Sequence, residues 1–398
     1  MNKVLEKFVE SLLKISSAVT GITVLLIIIF LFKEGLGLFK SSTVEKGYTL
    51  VVNKQNPVDK LTAVEIKEIF DSEIENWKDV GGSNEDIRIF RFDEIFTMYS
   101  DEELGDDYSL LPQKLGEVIQ SDSTIIAFLP LKYVPKNMSG IKELKTDTIS
   151  ISDFFLGTTW LPTATPSALF GILPLILGTL LVSFIAIVIA IPFGVGVAVY
   201  LSEIASEKVR KIMKPAIELL AGIPSVVYGF FGLVVMAPIV QKVGGLTLGE
   251  TAFTGSLILA IMALPTIITI SEDALRNTPK AMRDASYALG ANRWQTIYKV
   301  VIPYASSGIS AAIILGVGRA IGETMAVLMV TGNAAVMPHS LFESVRTIPA
   351  TIAAELGEAP GGGTHYQSLF LLGCVLFLIT LIISIISEKI SGRKIIKE

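Results

Sequence analysis

Six apolar runs dominate the chain, near 16–32, 171–201, 216–240, 253–274, 305–331 and 367–387. Crossing a bilayer takes about 17–25 predominantly apolar residues of helix, so each run is a candidate span. Of the 398 residues, 51% are hydrophobic and 18% charged, and the mean hydropathy is +0.60. A soluble domain carries about a quarter charged residues, so an ordinary soluble fold is excluded. The expected fold class is an all-α integral membrane protein with about six transmembrane helices, plus a small α/β extracytoplasmic insert. Cys374 is the one cysteine, so no internal disulfide can form and cysteine usage says nothing about compartment. His339 and His365 lack ligand-like spacing, and no zinc or other metal site is expected.

Lysine and arginine set the expected orientation. Lys3, Lys7 and Lys14 precede the first run, and Lys208, Arg210, Lys211 and Lys214 lie between the second and third. Arg276, Lys280, Arg283, Arg293 and Lys299 lie between the fourth and fifth, and Lys389, Arg393, Lys394 and Lys397 follow the sixth. The short loops on the other side carry only Lys242 and Arg346, and the segment from about 34 to 165 is too long to be governed by the rule. Basic loops stay in the cytoplasm, so both termini and the 275–304 loop are expected there. The first run is too long for a signal peptide, and no small-residue cleavage site follows "LLIIIFLFKEG", so it reads as an uncleaved anchor. The expected organisation is an anchor over 1–33, an extracytoplasmic insert over 34–165 and a five-helix core over 166–398. No fixed-period repeat or low-complexity tract appears. "GTTWLPTATPSALFG" (157–171) reads as the re-entry into the membrane and "APGGG" (359–363) as a flexible external loop.

The stretch "DASYALGANRWQTIYKVVIP" (284–303) lies on the basic side. "DASYAL" favours helix, Gly290 permits a sharp turn, "RWQTIYKVVI" resumes helical spacing, and Pro303 is tolerated in a first helical turn. The expected form is a rigid knuckle: a short helix, a bend, and a second helix returning to the membrane. This stretch resembles the coupling loop of ABC importer permeases, EAA-x3-G-x9-I-x-LP. Asp284, Ala285 and Ser286 stand at the EAA positions, Gly290 at the glycine, and Val300 to Pro303 at I-x-LP. The resemblance implies that Asp284, Ala285, Gly290, Arg293, Ile302 and Pro303 dock the loop on a cytoplasmic ATPase. No G-x-x-x-x-G-K-[ST] occurs, so ATP would be bound and hydrolysed by a separate chain. This chain is not expected to be an enzyme or to hold a cofactor.

"AGIPSVVYGFFG" (221–232), "GRAIGETMAV" (318–327), "LFESVRTIPATIAAELGEA" (341–359) and "HYQSLF" (365–370) together resemble the C-type permease subunit of phosphate-specific ABC importers. The resemblance covers the anchor and roughly 150–398. It implies a multi-pass protein of a bacterial or archaeal plasma (inner) membrane. The implied partners are a paralogous permease subunit, an ATPase dimer, an extracytoplasmic phosphate-binding protein and the lipid bilayer, with no nucleic acid.

Arg319 and Glu323 are charges inside an apolar run, where each costs a few kcal/mol or more, so a lipid-facing role is excluded. Their i, i+4 spacing is expected to put them on one helix face. The family resemblance associates this pair with phosphate passage. The arginine fork suits phosphate oxygens at any working pH. Glu323 would hold Arg319 and favour a protonated phosphate, which can donate a hydrogen bond, over sulfate, which cannot. A plainer reading is a buried ion pair stapling the small-residue surface of Gly316, Gly318, Ala320 and Gly322. Pro224 and Ser225 are expected to break a helix, near a pathway or as a packing kink.

Within the insert, "YTLVVN", "DIRIFRF" and "TIIAFLP" read as strands and "TAVEIKEIF" and "LLPQKLGEVI" as helices, with a capping box from Thr62 and Glu65. "VVNKQNPVDKLTAVEIKEIFDSEIENWKDVGG" (51–82) and, more loosely, "IIAFLPLKYVPKNMSGIKEL" (125–144) resemble a periplasmic phosphate-binding protein. That family continues into a Ser/Gly/Thr-rich anion loop, where this chain has "RIFRFDEIFTMYSDEELGDD". Residues 34–155 hold 23 acids against 13 bases, a net charge of about minus ten that repels an anion. The insert is therefore expected to have lost phosphate binding and to dock or mimic the soluble binding protein. Two other functions stay open: a permease for molybdate or sulfate, and a non-transporting phosphate-sensing scaffold. A secondary transporter is disfavoured because inverted repeats and ion-relay acids are not evident.

Overall fold

The computed structural model of the chain describes residues 3–134 and 140–392, and these fall into two compact units. One unit joins the residues through Phe32, Leu173–Ala359 and the chain from Leu369 onward; the other comprises Lys33–Ile172 with Pro360–Ser368. Of the basic residues expected to close the chain, Arg393, Lys394 and Lys397 lie outside the described residues.

Among the described residues five helices are long and apolar enough to cross a membrane, and a sixth span forms if one bent pair counts as one. Helix α1 (Lys3–Gly35) carries the first run, and no residue of its most apolar stretch is buried. Its hydroxyls turn inward: Thr20 Oγ1 donates to the Ser16 carbonyl (2.9 Å) and Thr23 Oγ1 to that of Val19 (2.8 Å). Such back-bonding satisfies polar groups where no water reaches.

The second unit holds a four-stranded sheet: β1 (Tyr48–Asn53), β2 (Arg88–Arg91), β3 (Ile125–Pro130) and β4 (Ile141–Glu143), in the order β2-β3-β1-β4. β2 runs parallel to β3, while β1 is antiparallel to both β3 and β4. Helices α2 (Ala63–Phe70) and α3 (Leu111–Ser121) build the two cores: α2 packs Ile66 and Ile69 with Trp77, and α3 packs Leu115 and Ile119 with Phe90. The expected capping box is present: Thr62 Oγ1 accepts from Glu65 N (3.3 Å) and Glu65 Oε2 accepts from Thr62 N (2.7 Å).

The first unit continues with α4 (Leu173–Val199), α5 (Glu207–Ala221), α6 (Ser225–Phe231), α7 (Ala237–Gly244) and α8 (Ala252–Arg276). The run read as one span over 216–240 is divided. Its first residues complete α5, the helix stops at Gly222, and α6 restarts at Ser225 after Pro224. The cause is local: proline donates no backbone hydrogen bond and pushes its predecessor out of helical geometry. Helices α6 and α7 are joined through a π turn over Gly232–Met236.

Helix α8 is the most enclosed span, with 61% of its apolar window buried. Small residues let its neighbours approach. A Cβ on Gly194 of α4 would lie 2.7 Å from Ile267 Cγ2, and one on Gly316 would lie 2.9 Å from Ile267 Cγ1. Between helices in lipid, such close packing takes the place of hydrophobic expulsion. Several buried hydroxyls are paired: Ser256 Oγ donates to the Ala252 (2.8 Å) and Val182 (3.2 Å) carbonyls, and Thr179 Oγ1 accepts the Ile348 N–H (2.9 Å).

After α8 come α9 (Lys280–Ala288), α10 (Arg293–Thr296), α11 (Ser306–Gly322), α12 (Met325–Val330), α13 (Ile348–Glu355) and α14 (Thr364–Gly392). The run read as one span over 305–331 is also divided, because α11 ends at Gly322 and α12 starts at Met325.

Candidate translocation and coupling sites

Arg319 lies in the last turn of α11, half-buried, where a cation is favoured by the helix dipole. Its Nη1 donates to Thr266 Oγ1 of α8 (3.4 Å). Pro265, beside that threonine, leaves the Ile261 carbonyl without its helical donor. Glu323 follows the helix with extended backbone (φ −70°, ψ 129°). The expectation that Arg319 and Glu323 share a helix face is therefore corrected: the helix unwinds between them. Among the described residues no ion pair joins Arg319 to Glu323 or to any other acid, so the stapling reading loses its contact as well. The surface-forming small residues also divide, with Gly316 and Ala320 buried and Gly318 and Gly322 exposed.

The 284–303 stretch forms the expected knuckle. Helix α9 carries Asp284 and Ala285, both exposed, and Gly290 turns the chain at φ +82°. Asn292 then caps α10: its side chain accepts from Gln295 N (2.9 Å), while Gln295 Oε1 accepts from Asn292 N (2.8 Å). A π turn (Ile297–Val301) and the turn Ile302–Tyr304, with Pro303 in its first positions, complete the return limb. That limb meets α11 at an angle of 68°. The limbs are joined by hydroxyls, Ser286 Oγ to Thr296 Oγ1 at 3.0 Å. Ile302 is half-buried and Pro303 exposed. The tip presents Tyr287, Leu289 and Trp294 to the surroundings, Leu289 with 89% of its surface free.

Two polar clusters at the same end escaped sequence reading. Glu272, 1% exposed near the end of α8, gathers three cations: Lys214 Nζ at 2.7 Å, Arg210 Nε at 3.3 Å and Arg276 Nη1 at 3.6 Å. Its hydrogen bond raises the Lys214 ammonium above the usual lysine range. A cavity of about 550 Å³ opens beside it, lined by Glu207, Arg210, Lys211, Lys214, Glu218 and Arg276. The other cluster pairs Arg283 of α9 with Glu203, in a π turn (Tyr200–Ile204) that follows α4. An acid at the end of an apolar run is a signal for Glu272. Glu203 and Arg283 stand 80 positions apart, with no local pattern to join them.

In the other unit the chain beyond β2 carries no glycine cradle. Phe92 stacks on Tyr133 (5.5 Å), and Phe96 meets Phe92 and Tyr108 edge-on (5.8 and 5.6 Å). Asp93, Asp101, Glu102, Asp106 and Asp107, on the same stretch of chain, are all exposed. A cavity of about 690 Å³ in this unit is lined in part by Glu68, Asp147 and Asp153, which oppose an anion.

Residues 190–397, more than half the chain, match the family described as binding-protein-dependent transport system inner membrane component. The chain belongs to this family. It is a permease subunit of an ABC transporter rather than an enzyme, with the helical fold described above. It is 36% identical over 277 residues (70% of this chain, 87% of the relative) to the probable ABC transporter permease protein YqgH of Bacillus subtilis. It is 39% identical over 251 residues (56% and 78%) to the phosphate transport system permease protein PstC of Pasteurella multocida. Among solved structures it is similar to the inward-facing MetNI methionine ABC transporter, with 20% identity, a TM-score of 0.45, and 55% of this chain and 94% of that chain covered. Residues 32–92 match a PBP superfamily domain, the likeness expected for the insert of this permease.

Proposed function

We propose that this permease carries phosphate in an ATP-driven importer, with Arg319 and Glu323 on the path. The observation that carries this reading is Arg319 itself: a half-buried guanidinium with no carboxylate partner among the described residues, one turn before a break in an apolar helix. Irregular backbone at membrane depth is tolerated only inside protein or beside a water-filled path, so the break at Gly322–Met325 favours a pathway here. A planar cation free of acid keeps N–H donors for an oxyanion beyond the one directed at Thr266 Oγ1. Phosphate is favoured over molybdate or sulfate by the name of the Pasteurella relative.

On this reading the basic end and both termini are cytoplasmic, in a bacterial or archaeal inner membrane. The tip of the 284–303 knuckle docks on a separate ATPase dimer, with Asp284, Ala285, Gly290, Arg293, Ile302 and Pro303 setting its shape. A paralogous permease completes the path, and an extracytoplasmic phosphate-binding protein delivers the ion. The chain is organised as anchor 1–33, insert 34–165 and core 166–398. The acidic, aromatic insert holds no phosphate and serves as a docking module.

The test is uptake. The chain is purified with its companion permease, ATPase and binding protein, placed in proteoliposomes, and offered phosphate, sulfate and molybdate with ATP inside. ATP-dependent entry of phosphate in preference to the other two is expected. Preferential entry of sulfate or molybdate would change the substrate, and no entry from an assembled, hydrolysing complex would favour a sensor.

A further inference from the structure

The base of the knuckle is held by one residue from two sides. Glu203 lies in the π turn at the end of the first core span, far in sequence from the 284–303 stretch. Its Oε1 accepts from Arg283 Nη2 at 2.7 Å, and the side chains retain only 10% and 19% of their surface. Its backbone carbonyl accepts from Arg293 Nη2. Arg283 stands before the Gly290 bend and Arg293 after it, so one residue holds both limbs. Arg283 also donates to the Thr278 (2.7 Å) and Leu275 (3.0 Å) carbonyls, closing the free carbonyl end of α8. Beneath these contacts Ala198, Val199, Leu275, Ile297 and Val301 form one apolar cluster, so α4, α8 and the return limb share a core.

We infer that Glu203 is a positioning residue for energy coupling, yoking both limbs of the knuckle to α4 so that displacement of its tip becomes displacement of the transmembrane core. This rests on the reading that the knuckle docks on an ATPase. The physical case is stiffness. Exposed Leu289 and Trp294 can be pushed by a partner, but a push is transmitted only if the limbs do not pivot on their own. Gly290 offers such a pivot, and the two arginine contacts to Glu203, one on each limb, remove it. A π turn is a frequent mark of a functional position in a helix, and both contacts converge on one. Arg283 is geometrically suited, because its fork reaches three acceptors at once where lysine offers a single point charge.

The experiment uses the full complex in proteoliposomes and reads phosphate uptake and ATP hydrolysis together, after co-elution of the ATPase is checked. Glu203→Gln keeps the side-chain shape and removes the charge. It is expected to leave the complex assembled and hydrolysing while phosphate moved per ATP falls at least fivefold. Glu203→Asp, which keeps the charge, is expected to recover at least half of the ratio. Arg293→Ala, at an exposed position, lowers the ratio in the same direction and decides the matter with the same two outcomes should Glu203→Gln fail to assemble. A ratio within 1.5-fold of the parent in both Glu203→Gln and Arg293→Ala overturns the inference. Leu289→Glu separates the two levels, since it should release the ATPase if the knuckle is its dock. Retained ATPase in Leu289→Glu defeats the docking reading itself, whatever the Glu203 variants do.

Discussion

Replacing Glu272 by glutamine should destabilise the core well beyond an ordinary surface change. The carboxylate is 1% exposed and faces three cations at 2.7, 3.3 and 3.6 Å. Glutamine keeps the volume but removes the charge, leaving Arg210 and Arg276 around a neutral amide and Lys214 with only the exposed Asp273 at 3.0 Å. Breaking a fully buried pair costs about 3–5 kcal/mol. Here the cationic side chains keep 27%, 28% and 45% of their surface, so water repays part of the loss. Discounting for that screening leaves about 2 kcal/mol. For a domain of roughly 150–250 residues, each kcal/mol moves Tm by about 2–4 °C, which places the expected drop near 4–8 °C. The assay is thermal unfolding of the detergent-purified chain, followed with a thiol-reactive dye on Cys374, the one cysteine, which is buried. A Tm within 1 °C of the parent would refute the reasoning, because it would mean that the three cations gain nothing from the carboxylate.

The same cluster predicts a pH dependence. The Glu272 hydrogen bond raises Lys214 above its ordinary value of 10.5, so its stabilisation is complete below that value and is lost as pH rises through the higher folded-state value. Tm should therefore fall more steeply above pH 10.5 in the parent than in Glu272→Gln, and parallel curves would count against the pairing. Gly290→Ala meets no atom within 4 Å, so its cost is conformational alone; at φ +82° that is about 1–2 kcal/mol, read as faster hydrogen exchange in the knuckle with the spans unchanged. Thr62→Ala removes the cap of α2 and should cost about 1 kcal/mol, seen as faster exchange of the first α2 amides in the full chain.

Much of the architecture was legible because its signals are local. Hydrophobic length marked the spans, Gly290 and Pro303 punctuated the knuckle, and the Thr62–Glu65 spacing announced the cap of α2. What escaped sequence reading was set by backbone geometry and long-range pairing. Hydropathy cannot see that an apolar run is two helices: the break at Gly222–Pro224 is legible only because Pro224 marks it, and the break at Gly322–Met325, where no proline stands, is not. The i, i+4 rule joins Arg319 to Glu323 only while the helix lasts, and it stops at Gly322. Glu203 with Arg283, and Glu272 with Arg210 and Lys214, meet only after α4, α5, α8 and α9 have packed. Arg283 had been counted for membrane orientation, a property of composition, although its side chain is committed to a specific acid and two carbonyls.

The proposed path runs past Arg319, and its most direct test is ATP-driven phosphate uptake by assembled complexes carrying Arg319→Ala or Arg319→Lys. Because lysine keeps the charge but lacks the planar fork, both variants should lose at least tenfold in uptake, with lysine retaining more than alanine and both complexes still co-eluting with the ATPase. Uptake within twofold of the parent in Arg319→Ala would contradict the account, since a pathway that does not need this arginine is not the one described.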